Sequence, residues 1–443
     1  MIIRQDIQNL PLNKAPPLVM HIDLNSCFAI IEQQANRLLR GKPVGVAAYD
    51  TPRGFILASS YQAKAKGIKL GVNVAEARQL CPGIVIVTPD PPKYRQAHTL
   101  FKELMLEYTD DVTPKSIDEF VLNLQKSPSL RSGQTVEQIG LEIKQKVSER
   151  LGEAVTVNVG IGPNRFLAKF AAGFNKPDGM KVIDYSNLEQ TYRGVDLIDL
   201  PGINVRYRQR LQMYGIKTPL DFLASNQHTL QKVVFRSIVG RHWYMRLRGY
   251  EVDNYVSRRT QIGHQYALPK KTADKHELAR LIMKLSEKVG RRLRSSGLTA
   301  GGVHLYLDFI NFQEQIHGGN GFIGGDSLAS KNAWHQSYKI GHRLYSTDSI
   351  YRVAKYLLSK AQLYDLVRGI SIAVFDLKPA DPEQISLFDQ DRQISTGRRL
   401  SRAMDEINNR YGEFIITPAE MMDMQGEILD RIAFGNIRDI NNR

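Results

Sequence analysis

Residues 113–124 read TPKSIDEFVLNL, and the way this stretch folds decides how the rest of the chain is read. Ile117, Phe120, Val121, Leu122 and Leu124 are apolar and Pro114 punctuates the start, the pattern of a buried strand. Yet Asp118 and Glu119 stand side by side inside it. A strand interior disfavours both residue types, and adjacent carboxylates repel. Strict alternation also sends the two side chains to opposite faces. Both can serve one site only near a strand end or a hairpin turn, and Pro114 fits a turn there.

On the N-terminal side, LVMHIDL at 18–24 is a short buried strand with Asp23 near its end, and SCFAIIEQQANRLL follows with helical spacing and Ser26 as cap. KPVGVAAY, GFILASSY and IVIVTP read as strands, and residues 93–110 as an amphipathic helix. On the C-terminal side, TVEQIGLEIKQKVSERLG reads as a helix, AVTVNVGIG as a strand, and NRFLAKFAAGFNKPDG as a helix ended by Pro177 and Gly179. Strands mixed with crossing helices predict an α+β or α/β sheet domain up to about residue 185. Residues 185–250 carry no strand pattern and predict a small helical domain, with YEVDNYVSRR as a linker after it. Strands return in RRTQIGHQYAL, GGVHLYLDFINF and GISIAVFDL, with helices near 272–296 and 347–363, so a second α+β domain is expected. After KPADPEQ the chain is polar and poor in core residues, with one helix at 397–410.

A chain of 443 residues exceeds one ordinary core, and about two to four domains are expected. Apolar residues make up 42% and charged residues 24%, the profile of a folded soluble protein. No apolar run is long enough for a signal peptide or a membrane span, which predicts a cytoplasmic protein with no membrane partner. Cys27 and Cys81, the only cysteines, cannot form a zinc site unaided and fit a reduced cytosolic state. The net charge is +15, and residues 201–300 hold 20 Lys and Arg against 6 Asp and Glu, a balance of +14. So concentrated a basic region points to a polyanion, nucleic acid ahead of an anionic membrane; a solvated basic face is the plainer alternative.

If the strand of Asp23 neighbours the strand of Asp118 and Glu119, three carboxylates meet at one end of a sheet. Hard oxygen ligands of this kind select Mg²⁺ or Mn²⁺. Two such ions support phosphoryl transfer, the chemistry a basic nucleic-acid-binding region makes natural. The competing reading is three exposed strand-end acids.

HIDLNSCFAIIEQ resembles the first motif of the Y-family translesion DNA polymerases, and SIDEF the second. VTVNVGIGPNRFLAKFAAGFNKPDG resembles the third, and LPGINVRYRQRLQMYGIKT the helix-hairpin-helix thumb. The four occur in order, and the resemblance runs from residue 18 to about 380, with features of the polymerase-IV-like and polymerase-V-like branches. It implies an α+β multidomain right hand: a palm at 18–34 and 91–184, small fingers at 35–90, a helical thumb at 185–250 and a linker at 251–260. A C-terminal α+β little finger at 261–380 follows, with an N-terminal extension at 1–17 and a tail at 381–443.

Site residues follow from the same resemblance. Asp23 and Asp118 would share two Mg²⁺ ions, with Mn²⁺ as a substitute; Glu119 would complete the shell of the catalytic ion and the Leu24 carbonyl would ligate the nucleotide-bound one. Phe28 would be the steric gate under the sugar, although by pattern alone it is a core aromatic. Tyr61, Lys64 and Lys176 would hold the triphosphate; Lys64 stands where the family commonly has Arg, and Ala58 where it often has Thr or Ser. Gly202 and Arg206, with Arg208 and Arg210 nearby, would meet DNA phosphates, and Asn204 replaces the usual second glycine. Arg258, Arg259 and Gln261 would lie on a strand along the duplex. QISLF at 384–388 resembles the pentapeptide that binds the bacterial sliding clamp, with Gln384, Leu387 and Phe388 as its anchors.

The implied protein is a monomeric, low-fidelity, template-directed DNA polymerase. It would add dNTPs to primer-template DNA during translesion synthesis and repair, with the clamp as partner. Two rivals stand beside it: a non-catalytic DNA-binding accessory of the same fold, and a two-metal nuclease, which leaves Phe28 and QISLF unexplained. Residues 390–443 have no assigned role.

Overall fold

The computed structural model describes residues 10–255, 258–310, 333–380, 390–424 and 426–428. These form two compact units, one ending at 255 and one beginning at 258.

The first unit begins with β1 (Val19–Leu24), followed by the helix Cys27–Ala35. Ser26 holds the N-cap position with φ 52° but makes no side-chain cap, contrary to the expected role. β2 (Val44–Ala47), β3 (Ile56–Ser59) and β4 (Val85–Val87) form a small separate sheet, ordered β3-β2-β4. Its core of Ala47, Ile56, Ala63, Ile68, Val74 and Ala77 is its own. β5 (Val112–Pro114), β6 (Glu119–Asn123), β7 (Val157–Gly162) and β8 (Met180–Val182) join β1 in a sheet ordered β5-β6-β1-β7-β8. The central strands β1 and β7 are nearly continuous apolar runs because both faces are covered. The helix Arg165–Ala171 rests directly on β7: a Cβ at Gly160 would overlap Ala168 O and Ala172 N, so glycine is required there. That helix ends at Ala171, well before Pro177.

Residues 185–250 hold helices and no strand among the described residues, as expected. Phe222, Trp243, Leu211 and Leu247 fill their core with Phe166 and Phe170. Arg248 is fully buried, and its guanidinium donates to the carbonyls of Tyr244, Leu223 and Ser225. Gly202 has φ +90°, a left-handed turn that favours glycine. Asn204, two residues on, caps the helix Val205–Met213 by accepting from Tyr207 N at 2.9 Å, which accounts for an asparagine where glycine was expected.

The second unit is built on β9 (Gln261–Thr272), β10 (Leu298–Phe309), β11 (Ala333–Leu344), β12 (Val367–Phe375) and the short β13 (Lys378–Pro379). The sheet runs β11-β10-β12-β9, antiparallel throughout. Leu305, Leu307, Ile370, Ile372 and Val374 meet Leu278, Ile282, Leu285 and Val289 of the helix Lys275–Ser295 and Ile350 and Leu357 of the helix Thr347–Lys360. Strand β11 was not anticipated; its exposed run His335–Lys339 carries too few apolar residues to read as a strand.

The tail also corrects the sequence reading. A helix spans Gln390–Tyr411, and Met421, Met424 and Ile428 are buried in the core of this unit. The helix Lys275–Ser295 explains why. One stripe of it meets the sheet, while the charged stripe at 280, 284, 291 and 294 is covered by the tail. Arg280 donates to Met422 O at 2.6 Å, Lys284 to Met424 O at 2.5 Å, and Arg291 to Asn409 at 3.0 Å. Arg294 makes a two-pronged pair with Asp405 at 2.5 and 2.8 Å.

Candidate active site

The stretch 113–124 is a hairpin rather than one strand. Pro114 at the end of β5 pairs with Phe120, and residues 115–118 form the turn. Asp118 therefore sits in the bend and Glu119 opens β6. Across the ladder, Asp23 and Glu119 are Cα partners, and Leu24 N donates to Asp118 O at 2.9 Å. The backbone thus brings Asp23, Leu24, Asp118 and Glu119 to one end of the sheet.

The side chains are each engaged internally. Lys176 Nζ pairs with Asp23 Oδ2. Lys169 Nζ donates to both oxygens of Glu119, at 2.7 and 3.0 Å. Ser116 Oγ donates to Asp118 Oδ1 at 2.5 Å. Among the described residues no three carboxylate, imidazole or thiol groups stand together so as to hold a metal ion. The single assembled cluster expected from the sequence is therefore absent from this conformation. The donor set nevertheless fits a hard divalent cation. Burial pushes Asp118 up to about 6, and the charges of Asp23 and Glu119 add to it against the Ser116 hydrogen bond. Burial raises Asp23 too, with Lys176 opposing. Such shifts mark chiefly the cost of burying a carboxylate.

His21 lies on β1, two residues before Asp23, with its Nε2 3.7 Å from Glu119 Oε2. Burial takes its pKa down to about 3, so it is neutral at pH 7. Among the described residues neither ring nitrogen has a hydrogen-bond partner. Burial works against ionisation of Glu119, but the attraction of Lys169 holds it below the usual carboxylate range.

The lysines are positioned by a strand and a helix that the sequence shows, through contacts that it does not. Lys169 rides on the helix fixed to β7 at Gly160. Lys176 is on the following loop, which Asn158 of β7 holds: Asn158 Nδ2 donates to Phe174 O at 2.7 Å and its Oδ1 accepts from Gly179 N at 3.0 Å. An asparagine amid the apolar run VTVNVGIG was the available signal. Asn25 does similar work, bonding Thr156 Oγ1 at 3.1 Å and accepting from the Tyr61 hydroxyl at 3.1 Å. Burial and the charge of Asp23 raise Tyr61 to about 12, so it stays a donor. Lys64 Nζ donates to Ser26 Oγ at 2.7 Å and lies 4.7 Å from the Tyr61 ring centroid. Burial, then the charge of Lys176, lowers the pKa of Lys64.

Phe28 is 1% exposed and stacks on Tyr94, centroids 4.4 Å apart and planes 14° from parallel. Glu32, one turn on, accepts from the Tyr94 hydroxyl at 2.8 Å and from Lys93 at 2.7 Å.

Gly202 and the exposed Arg206 belong to the helical part of the first unit. Arg258, Arg259 and Gln261 belong to the second, and here the expected strand placement fails for two of the three: β9 starts at Gln261, so the two arginines precede it. Arg258 is exposed, whereas Arg259 donates to Ser296 Oγ at 3.3 Å. Gln384, Leu387 and Phe388 lie outside the described residues.

Residues 22–173 match the impB/mucB/samB family, and residues 259–387 match the C-terminal domain of that family. The chain is 32% identical over 405 residues to DNA polymerase IV of Moorella thermoacetica, covering 90% of this chain and 94% of the relative. It is 30% identical over 419 residues to DNA polymerase IV of Pelotomaculum thermopropionicum, covering 93% and 97%. Among solved structures, the Y-family DNA polymerase chimera Dbh-Dpo4(243-245)-Dbh superposes with a TM-score of 0.67 at 23% identity, over 81% of this chain and 98% of that one. The insertion ternary complex of Dbh DNA polymerase gives 0.52 at 22% identity with the same coverage. At these identities the structures speak for the fold.

Proposed function

The chain belongs to the impB/mucB/samB family of Y-family polymerases, and on that premise we propose that it is a low-fidelity, template-directed DNA polymerase acting in translesion synthesis. One observation carries the assignment of the site: Asp23 pairs in register with Glu119, and Asp118 is bonded through its backbone to Leu24 in the adjacent bend.

In this reading Asp23, Asp118, Glu119 and the Leu24 carbonyl hold two divalent cations, Mg²⁺ or Mn²⁺. Bound there, the ions would supply Lewis acidity for the primer 3′-hydroxyl and neutralise the triphosphate. The residues of the chain bind and orient. Lys176 and Lys64 are the cations that receive triphosphate oxygens, and the Tyr61 hydroxyl, protonated at pH 7, donates to one of them. The Phe28–Tyr94 stack is a rigid floor against which a ribose 2′-hydroxyl would clash. Arg206 and Arg210, exposed on the helix after Gly202, contact DNA phosphates without reading sequence. Primer-template DNA and dNTP are the substrates, as the ternary complex among the structural relatives supports. QISLF docks on the sliding clamp through Leu387 and Phe388, the chain acts as a monomer in the cytoplasm, and the palm, fingers and thumb keep the bounds expected above, while Met421, Met424 and Ile428 of the tail add to the little finger.

Primer extension with dNTPs and Mg²⁺, on undamaged and lesion-bearing templates, separates the readings. Extension supports the polymerase, binding without extension the accessory protein, and degradation the nuclease.

A further inference from the structure

We propose that Lys176 is a lock on Asp23 that nucleotide releases: paired with the carboxylate it keeps the acid from a divalent cation, and a triphosphate frees the acid by taking the lysine. The proposal rests on the polymerase reading of this site and adds an order to its assembly.

Asp23, Asp118 and Glu119 share one sheet end, yet no trio among the described residues is arranged around an ion, and each acid has an internal partner instead. Those partners differ in kind. Ser116 is a neutral donor occupying one lone pair of Asp118, which leaves others for an ion. Lys169 grips both oxygens of Glu119 from a helix whose backbone abuts β7, so its base is fixed. Lys176 differs in its place: it is close enough to Lys64 for the two ammonium charges to interact, so one polyanion can engage both. Lys176 stands on the loop between Ala171 and β8, and its side chain is 36% exposed while that of Asp23 is 17% exposed.

A second cation is close by. Lys64 feels the charges of both Lys176 and Asp23, and its ammonium is held by the neutral Ser26 hydroxyl. A triphosphate carries several negative charges and many acceptor oxygens, and it outcompetes a single carboxylate for both lysines. A partly exposed ion pair is weak, so little free energy opposes the exchange. With Lys176 turned away, the Asp23 carboxylate has lost its partner at the sheet end it shares with Asp118 and Glu119, and a divalent cation can take the place of the lysine. Nucleotide and cation binding are thereby coupled, and the coupling acts in both directions.

The test uses the full chain and Mn²⁺ alone, with free Mn²⁺ followed by electron paramagnetic resonance in the absence of nucleotide. Lys176→Gln is expected to bind Mn²⁺ about tenfold more tightly than the parent chain, a typical coupling between two sites. Lys176→Arg keeps the pair and should match the parent. In an Asp23→Asn background the gain from Lys176→Gln should vanish. A gain that persists there overturns the lock, because it reports the general field of a removed charge. Equal and measurable affinities of parent and Lys176→Gln also overturn it while the two-ion reading stands. Absence of Mn²⁺ binding in every variant, together with no primer extension by the parent chain, overturns both.

Discussion

Asp23 and Glu119 face each other as Cα partners across β1 and β6, yet each carboxylate is turned to a different lysine, Lys176 and Lys169. Two acids placed opposite one another on a ladder would destabilise it by repulsion. The lysines offset part of that repulsion in the absence of metal, and Asp118 is left as the acid without a cationic partner among its bonds in the described residues.

That asymmetry sets a pH dependence. The folded state raises Asp118 from 3.8 to about 6, so it holds the proton more tightly than the unfolded chain does. The cost of ionising it is absent below about pH 4, grows as pH rises toward 6 and is complete above that. Without divalent cation, Asp118→Asn should be more stable than the parent by about 3 kcal/mol at pH 7.5, a gain that all but vanishes at pH 4. Urea denaturation at the two pH values decides it, and a parent more stable at pH 7.5 contradicts the account.

Phe28 packs in the core, and in the proposed reading it also selects against a ribose. Because it is 1% exposed and stacked on Tyr94, Phe28→Ala should cost about 3 kcal/mol of stability. It should also raise the relative kcat/KM for ribonucleotides by at least about tenfold. Discrimination measured at a temperature where the variant is folded separates the two effects. Unchanged discrimination would make Phe28 a core residue alone.

The tail is structural in the second unit. Arg294, whose side chain is 4% exposed, depends on Asp405 for its two-pronged pair. Asp405→Ala leaves a buried guanidinium short of a partner and should cost about 3 kcal/mol. A midpoint of chemical denaturation that does not move would show the tail to be loosely attached.

Arg206 and Arg210 are exposed on the helix capped by Asn204. If both meet phosphates, Arg206→Ala and Arg210→Ala should each lower the slope of log affinity against log salt by about one, equally on every DNA sequence. Fluorescence anisotropy over a salt series measures this, and a slope that stays constant assigns those arginines to solvent.

How much of this could be read from the residues depends on where each one sits. The apolar runs of β1, β6 and β7 were legible because burial leaves only a few polar positions in them, such as His21 and Asn158. The doubled acid at 118–119 demanded a turn, and the hairpin supplies it, although Pro114 closes β5 instead of opening the bend. What escaped were residues whose meaning is tertiary. Lys169 and Asn158 matter through partners 50 and 16 residues away. β11 was hidden by its exposure. Arg258 and Arg259 looked like strand residues because alternation cannot mark where a strand starts. The tail looked coreless because its anchors are arginines and lysines of another helix, bonding to tail carbonyls and carboxylates that a hydrophobic pattern does not record.

The central claim is that the acids at the end of β1 and β6 carry nucleotidyl transfer. Primer extension by the parent chain and by Glu119→Gln, with Mg²⁺ and dNTPs on a lesion-bearing template, tests it most directly. The account predicts efficient extension by the parent, and a loss of at least about 100-fold in the variant with DNA affinity unchanged. Full extension by Glu119→Gln would contradict it.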